Sequence, residues 1–533
     1  MTFLKSDLDA AGSVIGEAFG KRRGMRAFGI AVCFGLLLLS ACGPSVRTFE
    51  QTPSFAPDQP TSTQLARAVR NLGDPHNGRS GVRLIGNGEE AFAARLALAA
   101  AAEQTIDAQY YLLHNDRTGQ VFAWSLLEAA DRGVRVRLLL DDMDTEGYDA
   151  ATAALDSHEN IEIRLFNPFW RDQSIVAAGL TDFKRINRRM HNKSMTADNA
   201  MSIVGGRNIG DEYFLAKREM NYSDLDLQLA GPVVDEVSTN FDKYWNSKFA
   251  VPARAVIGEP EGFSLDEARD RLNEIIGDAQ ETDYASVIRK ARAQNFTKST
   301  LKLDWVPAKM YSDPPSKAAG ADNGEQILAS QLVHYFDEAE SEVGIISAYF
   351  VPRKRGTKWL AELEAKGVEV SVVTNSLASN DVKPVYAHYA KDRRELLESG
   401  VSLYELRPDA DREKRRGVNW GQSQSGLHAK AFMIDERYLF VGSFNWDPRS
   451  VNINTEMGIL IDSAEFTAKT SEALKKVLER ETFSVRLEDD HRISWTETEQ
   501  NGTRRIYYSE PTGSFWDHFI AGIYAILPIG SQL

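Results

Sequence analysis

Residues 190–208 read MHNKSMTADNAMSIVGGRN, and residues 427–445 read LHAKAFMIDERYLFVGSFN. Each stretch contains His-x-Lys-x4-Asp and then runs through apolar residues to two small residues and an asparagine. One such match would carry little information, but two matches in the same frame indicate an internal duplication. The equivalent residues are His191, Lys193, Asp198 and Asn208 in the first copy and His428, Lys430, Asp435 and Asn445 in the second.

The duplication extends upstream of both stretches. Apolar, β-branched segments at 105–111 and 134–140 flank a helical segment that closes on glycine, and segments at 343–350 and 368–374 flank another. Strands that alternate with helical periodicity are typical of strand–helix–strand units with a partly parallel sheet. The sequence therefore predicts an α/β fold of two pseudo-symmetric α/β/α halves, with mixed, partly parallel sheets packed face to face.

Shifts in composition divide the chain into six segments. The polar stretch between the halves contains a charged helical region, and the end of the chain carries an apolar stripe at helical spacing over 516–527. That stripe predicts either a helix lying on a bilayer or a helix packed on its own domain. The predicted segments are a signal peptide (1–41), a tether (42–80), a first half (81–255), a helical and linker insertion (256–324), a second half (325–485) and a C-terminal extension with an apolar helix (486–533).

The N-terminal segment has the features of a secretory signal. A basic cluster at 21–26 precedes an apolar run at 27–39, and Leu-Ser-Ala-Cys follows, ending at Cys42. A charged region, a short apolar core and small residues before a cleavage site describe such a signal. The tetrapeptide resembles the lipobox of bacterial lipoproteins, which implies lipidation of Cys42. We expect a protein of the cell envelope, lipid-anchored on the periplasmic face, with the inner and outer membrane both open. The alternative is an uncleaved signal anchor.

Composition excludes several classes of protein. The chain has 533 residues, of which 43% are hydrophobic and 26% charged, which rules out a mainly disordered chain, a collagen or a multi-span membrane protein. The net charge of −14 makes a general nucleic-acid binder a poor fit, because such proteins neutralise phosphates with Lys and Arg. Both cysteines precede residue 50, so a zinc-thiolate site and a cysteine nucleophile are excluded from the body.

The paired motifs suit chemistry at a phosphodiester. His-x-Lys spacing on a strand puts both side chains on one face, because the strand repeats every two residues. Two copies brought together would place two imidazoles and two ammonium groups around one space. One neutral imidazole can attack phosphorus while the other, protonated, donates to the leaving oxygen. No metal or other cofactor is expected, because the lysines supply the positive charge. Charge on the phosphoryl oxygens would be stabilised by Lys193, Lys430, Asn208 and Asn445, and small residues such as Gly206 and Ser443 would allow close backbone approach.

The duplicated motif with its trailing glycine pair and asparagine resembles the phospholipase D superfamily. The segments 109–114, 133–142, 205–211 and 374–381 are similar to bacterial cardiolipin synthases of the lipoprotein-like C type. The resemblance implies a two-step reaction through a phosphohistidine, with His191 as the nucleophile and His428 as the acid.

The resemblance also implies supporting carboxylates. Asp198 and Asp435 belong to the catalytic motif by this resemblance, which implies a supporting role for both. It further implies an acidic residue downstream that orients each histidine. Glu456, 28 residues after His428, fits this position in the second half. In the first half Glu219 has the same interval, but Asp224 fits better if the segment before it is an extension.

The leading functional hypothesis is a membrane-tethered phosphatidyltransferase that makes cardiolipin from phosphatidylglycerol and a second phospholipid. A phospholipase D that uses water is the first alternative, and a nuclease of the same superfamily or a non-catalytic lipoprotein are weaker ones. The expected partners are phospholipids at the bilayer surface and the membrane itself, through Cys42 and the C-terminal helix, with no nucleic acid. The sequence identifies neither the donor lipid nor a protein partner.

Overall fold

The computed structural model describes residues 49–58, 62–72, 78–217, 220–259, 262–280, 284–293, 301–320, 326–409, 424–499 and 502–533. The predicted signal peptide, Cys42 and Glu219 lie outside these ranges. The helices are α1 (Gln64–Leu72), α2 (Gly88–Ala101), α3 (Arg117–Asp131), α4 (Asp149–Asp156), α5 (Ile175–Thr181), α6 (Phe183–Ile186), α7 (Pro232–Trp245), α8 (Ala253–Ile257), α9 (Leu265–Gln280), α10 (Tyr284–Ala293), α11 (Leu328–Asp337), α12 (Arg353–Ala365), α13 (Lys383–Glu398), α14 (Pro448–Asn452), α15 (Ala464–Glu481) and α16 (Phe515–Ile526).

The strands form two large sheets and one small one. They are β1 (Ser80–Ile85), β2 (Thr105–Tyr110), β3 (Arg135–Asp141), β4 (Ile161–Phe166), β5 (Ser194–Ala197), β6 (Met201–Gly205), β7 (Met220–Ser223), β8 (Asp226–Ala230), β9 (Ala250–Pro252), β10 (Asp304–Val306), β11 (Ala308–Ser312), β12 (Glu342–Ser347), β13 (Glu369–Asn375), β14 (Ser402–Leu406), β15 (Gln424–Leu427), β16 (Lys430–Ile434), β17 (Tyr438–Gly442), β18 (Met457–Asp462), β19 (Thr482–Leu487), β20 (Ile493–Thr498) and β21 (Arg504–Tyr507).

The two large sheets repeat one topology. The first has the order β10-β1-β8-β6-β5-β2-β3-β4-β9, and the second has β11-β18-β17-β16-β12-β13-β14-β19-β20-β21. In each sheet three consecutive strands are parallel, β2–β3–β4 and β12–β13–β14, while the motif hairpins β5–β6 and β16–β17 are antiparallel. The predicted class, two duplicated α/β halves with mixed sheets, is confirmed.

The helices that follow the first parallel strand of each half end as the sequence indicated. Gly133 follows α3 with φ +89°, and Gly367 follows α12 with φ +92°. A left-handed residue closes the last turn of a helix, and glycine adopts that conformation without a steric cost. The chain then enters the buried strands β3 and β13, so these glycines set where each parallel pair begins.

The halves meet through the inner faces of their sheets. One apolar cluster joins residues of β6 and β8, such as Val204 and Leu227, to residues of β16 and β17, such as Ala431 and Val441. Fully burying a valine or leucine side chain stabilises the packing by about 1.5–3 kcal/mol. The predicted segment borders are less sharp in the structure, because β10 and β11 of the insertion each extend one sheet and β20 and β21 continue the second sheet beyond residue 485.

The C-terminal helix exposes most of its apolar stripe. Among its residues Ala521 is buried, whereas Trp516 is 65% exposed and Phe519 is 52% exposed. The helix packs along α13, but the face predicted from the sequence points largely to solvent. Within the part of the chain that the structure describes, every helix is too short or too polar to cross a bilayer.

Candidate active site

The two motif histidines lie where the halves exchange backbone contacts. Met190 forms a parallel bridge with Thr455 of the second half, and the amide of His191 donates to the Thr455 carbonyl at 2.9 Å. On the other side β7 of the first half pairs in parallel with β15 of the second, and the amide of His428 donates to the Ser223 carbonyl at 2.9 Å. Each histidine is therefore fixed by the backbone of the opposite half.

Each imidazole is held by a carboxylate from the opposite half. His191 Nδ1 donates to Glu456 Oε2 at 2.9 Å, and His428 Nδ1 donates to Asp224 Oδ2 at 2.6 Å. Glu456 directly follows Thr455, and Asp224 directly follows Ser223. The backbone contacts between the halves therefore bring each carboxylate to the histidine of the opposite half. The sequence interval had associated Glu456 with His428, and the structure corrects that pairing because the carboxylates cross between the halves.

The motif lysines bring two ammonium groups into the same buried space. Lys193 Nζ donates to the His191 carbonyl at 2.6 Å, and Lys430 Nζ donates to the His428 carbonyl. Both lysines lower the pKa of both histidines, and His191 itself lowers the pKa of His428. Charge on either half is thus felt by the imidazole of the other, which places the four groups around one space.

Burial dominates the electrostatics of this space. Loss of hydration lowers the pKa of both imidazoles well below its usual value, and the two ammonium groups add to the effect. Burial also lowers the pKa of Lys430 to about 8 and raises the pKa of Glu456 to about 7. Burial and the two ammonium groups therefore favour neutral imidazoles, and an anion between the ammonium groups would favour protonation of one of them.

Asparagines and small residues frame the site in equivalent ways. Asn208 Oδ1 accepts from the Leu112 amide at 3.2 Å, and Asn445 Oδ1 accepts from the Tyr349 amide at 3.3 Å. A Cβ on Gly206 would stand 2.2 Å from Asp224 Oδ1. At the equivalent position, Ser443 donates its hydroxyl to Glu456. The two small residues therefore make room for the two carboxylates.

Aromatic rings complete the walls, and the sequence analysis did not select them. The ring of Tyr111 stands edge-on to His191 with centroids 5.0 Å apart, and Tyr213 and Tyr222 flank His428 at 5.1 and 5.3 Å. The Tyr222 hydroxyl donates to Asp381, and so does the hydroxyl of Tyr349. Tyr111, Tyr349 and Asp381 follow strand ends, which is the one sequence signal that could have indicated them.

The motif aspartates lie outside this space. Asp198 accepts from the amides of Glu103, Gln104 and Thr105, and Asp435 does the same at 340–342. Both sit in left-handed turns, with φ +52° and +54°. Seven residues of extended chain place them roughly 20 Å from the histidines. They tie the β5–β6 and β16–β17 turns to the neighbouring strands. Neither aspartate contacts the motif histidines or lysines, so the role that the structure shows for them is to fix these turns.

Asp141, the last residue of β3, supports the site. Its Oδ2 accepts from the amide of Met190 at 2.7 Å and from Arg189 at 3.1 Å. This carboxylate fixes the residue that precedes His191. Asp142 instead accepts from the guanidinium of Arg171 and fixes the following loop.

One group within the described residues has ligands close enough to hold a cation: His114, Asp116 and Glu212. Asp116 already accepts from the amides of Gly119 and Asp211, at 2.9 and 2.7 Å. The carboxylate is thus engaged in capping α3 and fixing the neighbouring loop. The residues present fit a structural cluster better than a metal centre, and metal-independent chemistry stays a prediction.

The geometry and the duplicated sheets define a two-histidine phosphoryl-transfer protein. The family described as cardiolipin synthase, phospholipase D-like domain, matches residues 96–245 and 332–478. The chain belongs to this family of the phospholipase D superfamily, which confirms the resemblance seen in the sequence.

Individual relatives and one solved structure agree with this membership. The chain is 40% identical to cardiolipin synthase C of Escherichia coli K12 over 473 residues, which cover 87% of this chain and 99% of the relative. It is 31% identical to an uncharacterised protein of Helicobacter pylori J99, over 93% of this chain and 96% of that one. The crystal structure of phosphatidylserine synthase from Haemophilus influenzae Rd KW20 superposes with a TM-score of 0.54 at 16% identity, covering 79% of this chain and 92% of that one, which supports the fold.

Proposed function

We propose that the chain is a phosphatidyltransferase that makes cardiolipin from phosphatidylglycerol and a second phospholipid through a phosphohistidine. The observation that carries the proposal is the crossed pair of histidine–carboxylate contacts, with two ammonium groups buried in the same space. This arrangement supports two successive displacements at one phosphorus atom. The likeness to cardiolipin synthase C supports the choice of a phospholipid substrate.

In the first step His191 acts as the nucleophile. Its Nδ1–H donates to Glu456, which leaves the Nε2 lone pair free to attack phosphorus. The Nε2–P bond forms as the bond from phosphorus to the headgroup oxygen breaks. His428 gives its Nε2 proton to that oxygen, and the imidazole is then neutral. Asp224 stabilises the protonated form of His428 before the transfer.

In the second step the same groups work in reverse. The hydroxyl of a phosphatidylglycerol molecule gives its proton to His428 as its oxygen bonds to phosphorus, and the Nε2–P bond to His191 breaks. Lys193, Lys430 and the amides of the asparagines would stabilise negative charge on the non-bridging oxygens in both steps.

Product analysis tests the proposal. The purified full-length chain is incubated with vesicles containing labelled phosphatidylglycerol, and lipids are separated and quantified. We expect labelled cardiolipin from the wild type and at least a thousandfold less from His191→Ala and His428→Ala. Phosphatidic acid as the main product would overturn transfer in favour of hydrolysis, and wild-type rates from either variant would overturn the mechanism.

We also propose that the enzyme acts at a membrane surface of the cell envelope, anchored through a lipid on Cys42. The exposed stripe of α16 supports a second contact, because large apolar side chains on one exposed face are typical of helices that lie in the membrane interface. Replacing both Trp516 and Phe519 by serine should lower binding to anionic vesicles about tenfold or more in a flotation assay. Since both side chains are largely exposed, the melting temperature should not change. Unchanged vesicle binding would contradict the role given to α16.

A further inference from the structure

An apolar cavity of about 340 Å³ lies on the outer side of the first sheet. Its floor is formed by β3 and β4, through residues such as Leu138 and Ile163, and its walls by α3 and α4. The insertion helix α9 covers it with Leu272. The volume falls within the range of ligand pockets, and the lining is mainly aliphatic.

One end of the cavity lies beside the segment that continues from the wall of the candidate active site. Leu113 and His114 line this end, and they directly follow the stretch in which Tyr111 packs against His191. Leu113 also bridges to Ile209, next to the framing asparagine of the site. The backbone of the cavity rim is therefore joined to the wall of the phosphoryl site through residues 111–113 and the bridge to Ile209, while the depth of the cavity is apolar.

The duplicated fold fills the corresponding layer of the second half. There the equivalent helix, α13, inserts Tyr389 and Arg393, both buried, and the Tyr389 hydroxyl donates to Glu405 of β14. In the first half α4 presents Ala150 and Ala151 to the same layer. The two halves therefore differ in the side chains that this helix places against the sheet.

We propose that this cavity, here named the acyl slot, binds one acyl chain of the phospholipid whose phosphorus lies between the two histidines. The inference rests on the proposed function and specifies how that site holds its substrate. A phospholipid with its phosphorus in the buried site must carry its chains past the surrounding walls, and the rim of the acyl slot is formed by Leu113 and His114, which follow the wall residue Tyr111 in the chain. Each methylene buried there would strengthen binding by roughly fourfold.

The acyl slot is tested by filling it. Ala151→Phe places a ring in the cavity, and Ala365→Phe, on an exposed position of α12 in the other half, is the matched control. Each protein is assayed with phosphatidylglycerol as the lone phospholipid, so that it serves as both donor and acceptor, in a long-chain and in a short-chain form, and the ratio of the two kcat/KM values is the readout. We expect a higher value for long chains in the wild type. That ratio should fall at least tenfold in the Ala151 variant and stay unchanged in the control.

The ratio separates binding in the acyl slot from a general loss of structure. An equal fall in kcat/KM for long and short chains leaves the ratio unchanged, and an unchanged ratio would overturn the inference. Should Ala151→Phe fail to fold, Ala123→Phe fills the same cavity from α3 and is judged by the same ratio. Absence of cardiolipin from the wild type would refute the proposed function. Cardiolipin formation with an unaltered ratio would refute the acyl slot alone.

Discussion

Replacing Asp224 by asparagine removes a negative charge from beside His428 and keeps the size of the side chain. In the structure the carboxylate oxygen lies 2.6 Å from His428 Nδ1, and both groups are buried. Two unit charges about 4 Å apart interact by about 4 kcal/mol at an effective dielectric constant near 20. Protonated His428 should lose a stabilisation of this order, so kcat should fall by roughly 10²- to 10³-fold.

The position of the defect in the reaction can be read with two leaving groups. In the proposed mechanism a natural headgroup takes a proton from His428 and leaves as an alcohol, whereas nitrophenolate is a weak enough base to leave without one. In a rapid-mixing assay the burst of nitrophenolate from phosphatidyl-p-nitrophenol reports the first step alone. We expect Asp224→Asn to slow release of the natural headgroup strongly and the nitrophenolate burst by less than about tenfold.

Glu456→Gln is the matched control, because this residue contacts the other histidine. If His191 is the nucleophile, Glu456→Gln should slow the first step both with the natural headgroup and with nitrophenolate as the leaving group. The roles of the histidines would be reversed by two results together: a large defect of the nitrophenolate burst in Asp224→Asn, and a near-normal burst in Glu456→Gln despite slow release of the natural headgroup. Equal defects in both variants with both substrates would refute the division into nucleophile and acid.

Three further predictions concern charge, space and the motif turns. Lys430 is protonated below its pKa of about 8, so kcat/KM should fall as the pH rises through 8, and a profile that is flat to about pH 10 would contradict this. Gly206→Ala forces a Cβ within 2.2 Å of Asp224 Oδ1, so chemical denaturation should show a loss of about 1–3 kcal/mol together with reduced activity; wild-type activity would exclude the steric argument. Asp198→Asn should lower the free energy of unfolding by about 2–4 kcal/mol while the folded enzyme keeps kcat within about threefold. A loss of kcat without a loss of stability would contradict the structural role given to Asp198 and would indicate a catalytic one.

Local repetition made much of the fold predictable. The duplicated frame located both motif hairpins, and the strand–helix–strand pattern indicated the parallel strands of each half. The period of two along a strand was the reason to expect His191 and Lys193 on one face, but both residues precede β5, which begins at Ser194. These features depend on short stretches of sequence, and short stretches report on local backbone geometry.

The remaining features depend on how the halves meet. The crossed pairing of Glu456 with His191 follows from the bridge at Thr455, and an interval counted along one half carries no information about a contact with the other. Asp198 shows a different limit. It belongs to the same motif as His191, but extended chain and a left-handed turn carry it to the far end of the hairpin.

The exchange of backbone at β7 and β15 has a consequence for the nascent protein. A chain that ends before residue 424 contains Asp224 without the imidazole it serves, and His191 without its carboxylate. Reactivity toward lipid headgroups therefore begins only when synthesis and folding of the second half are complete. We therefore expect truncated products to be inactive, and two separately made fragments to regain activity only by reassembling.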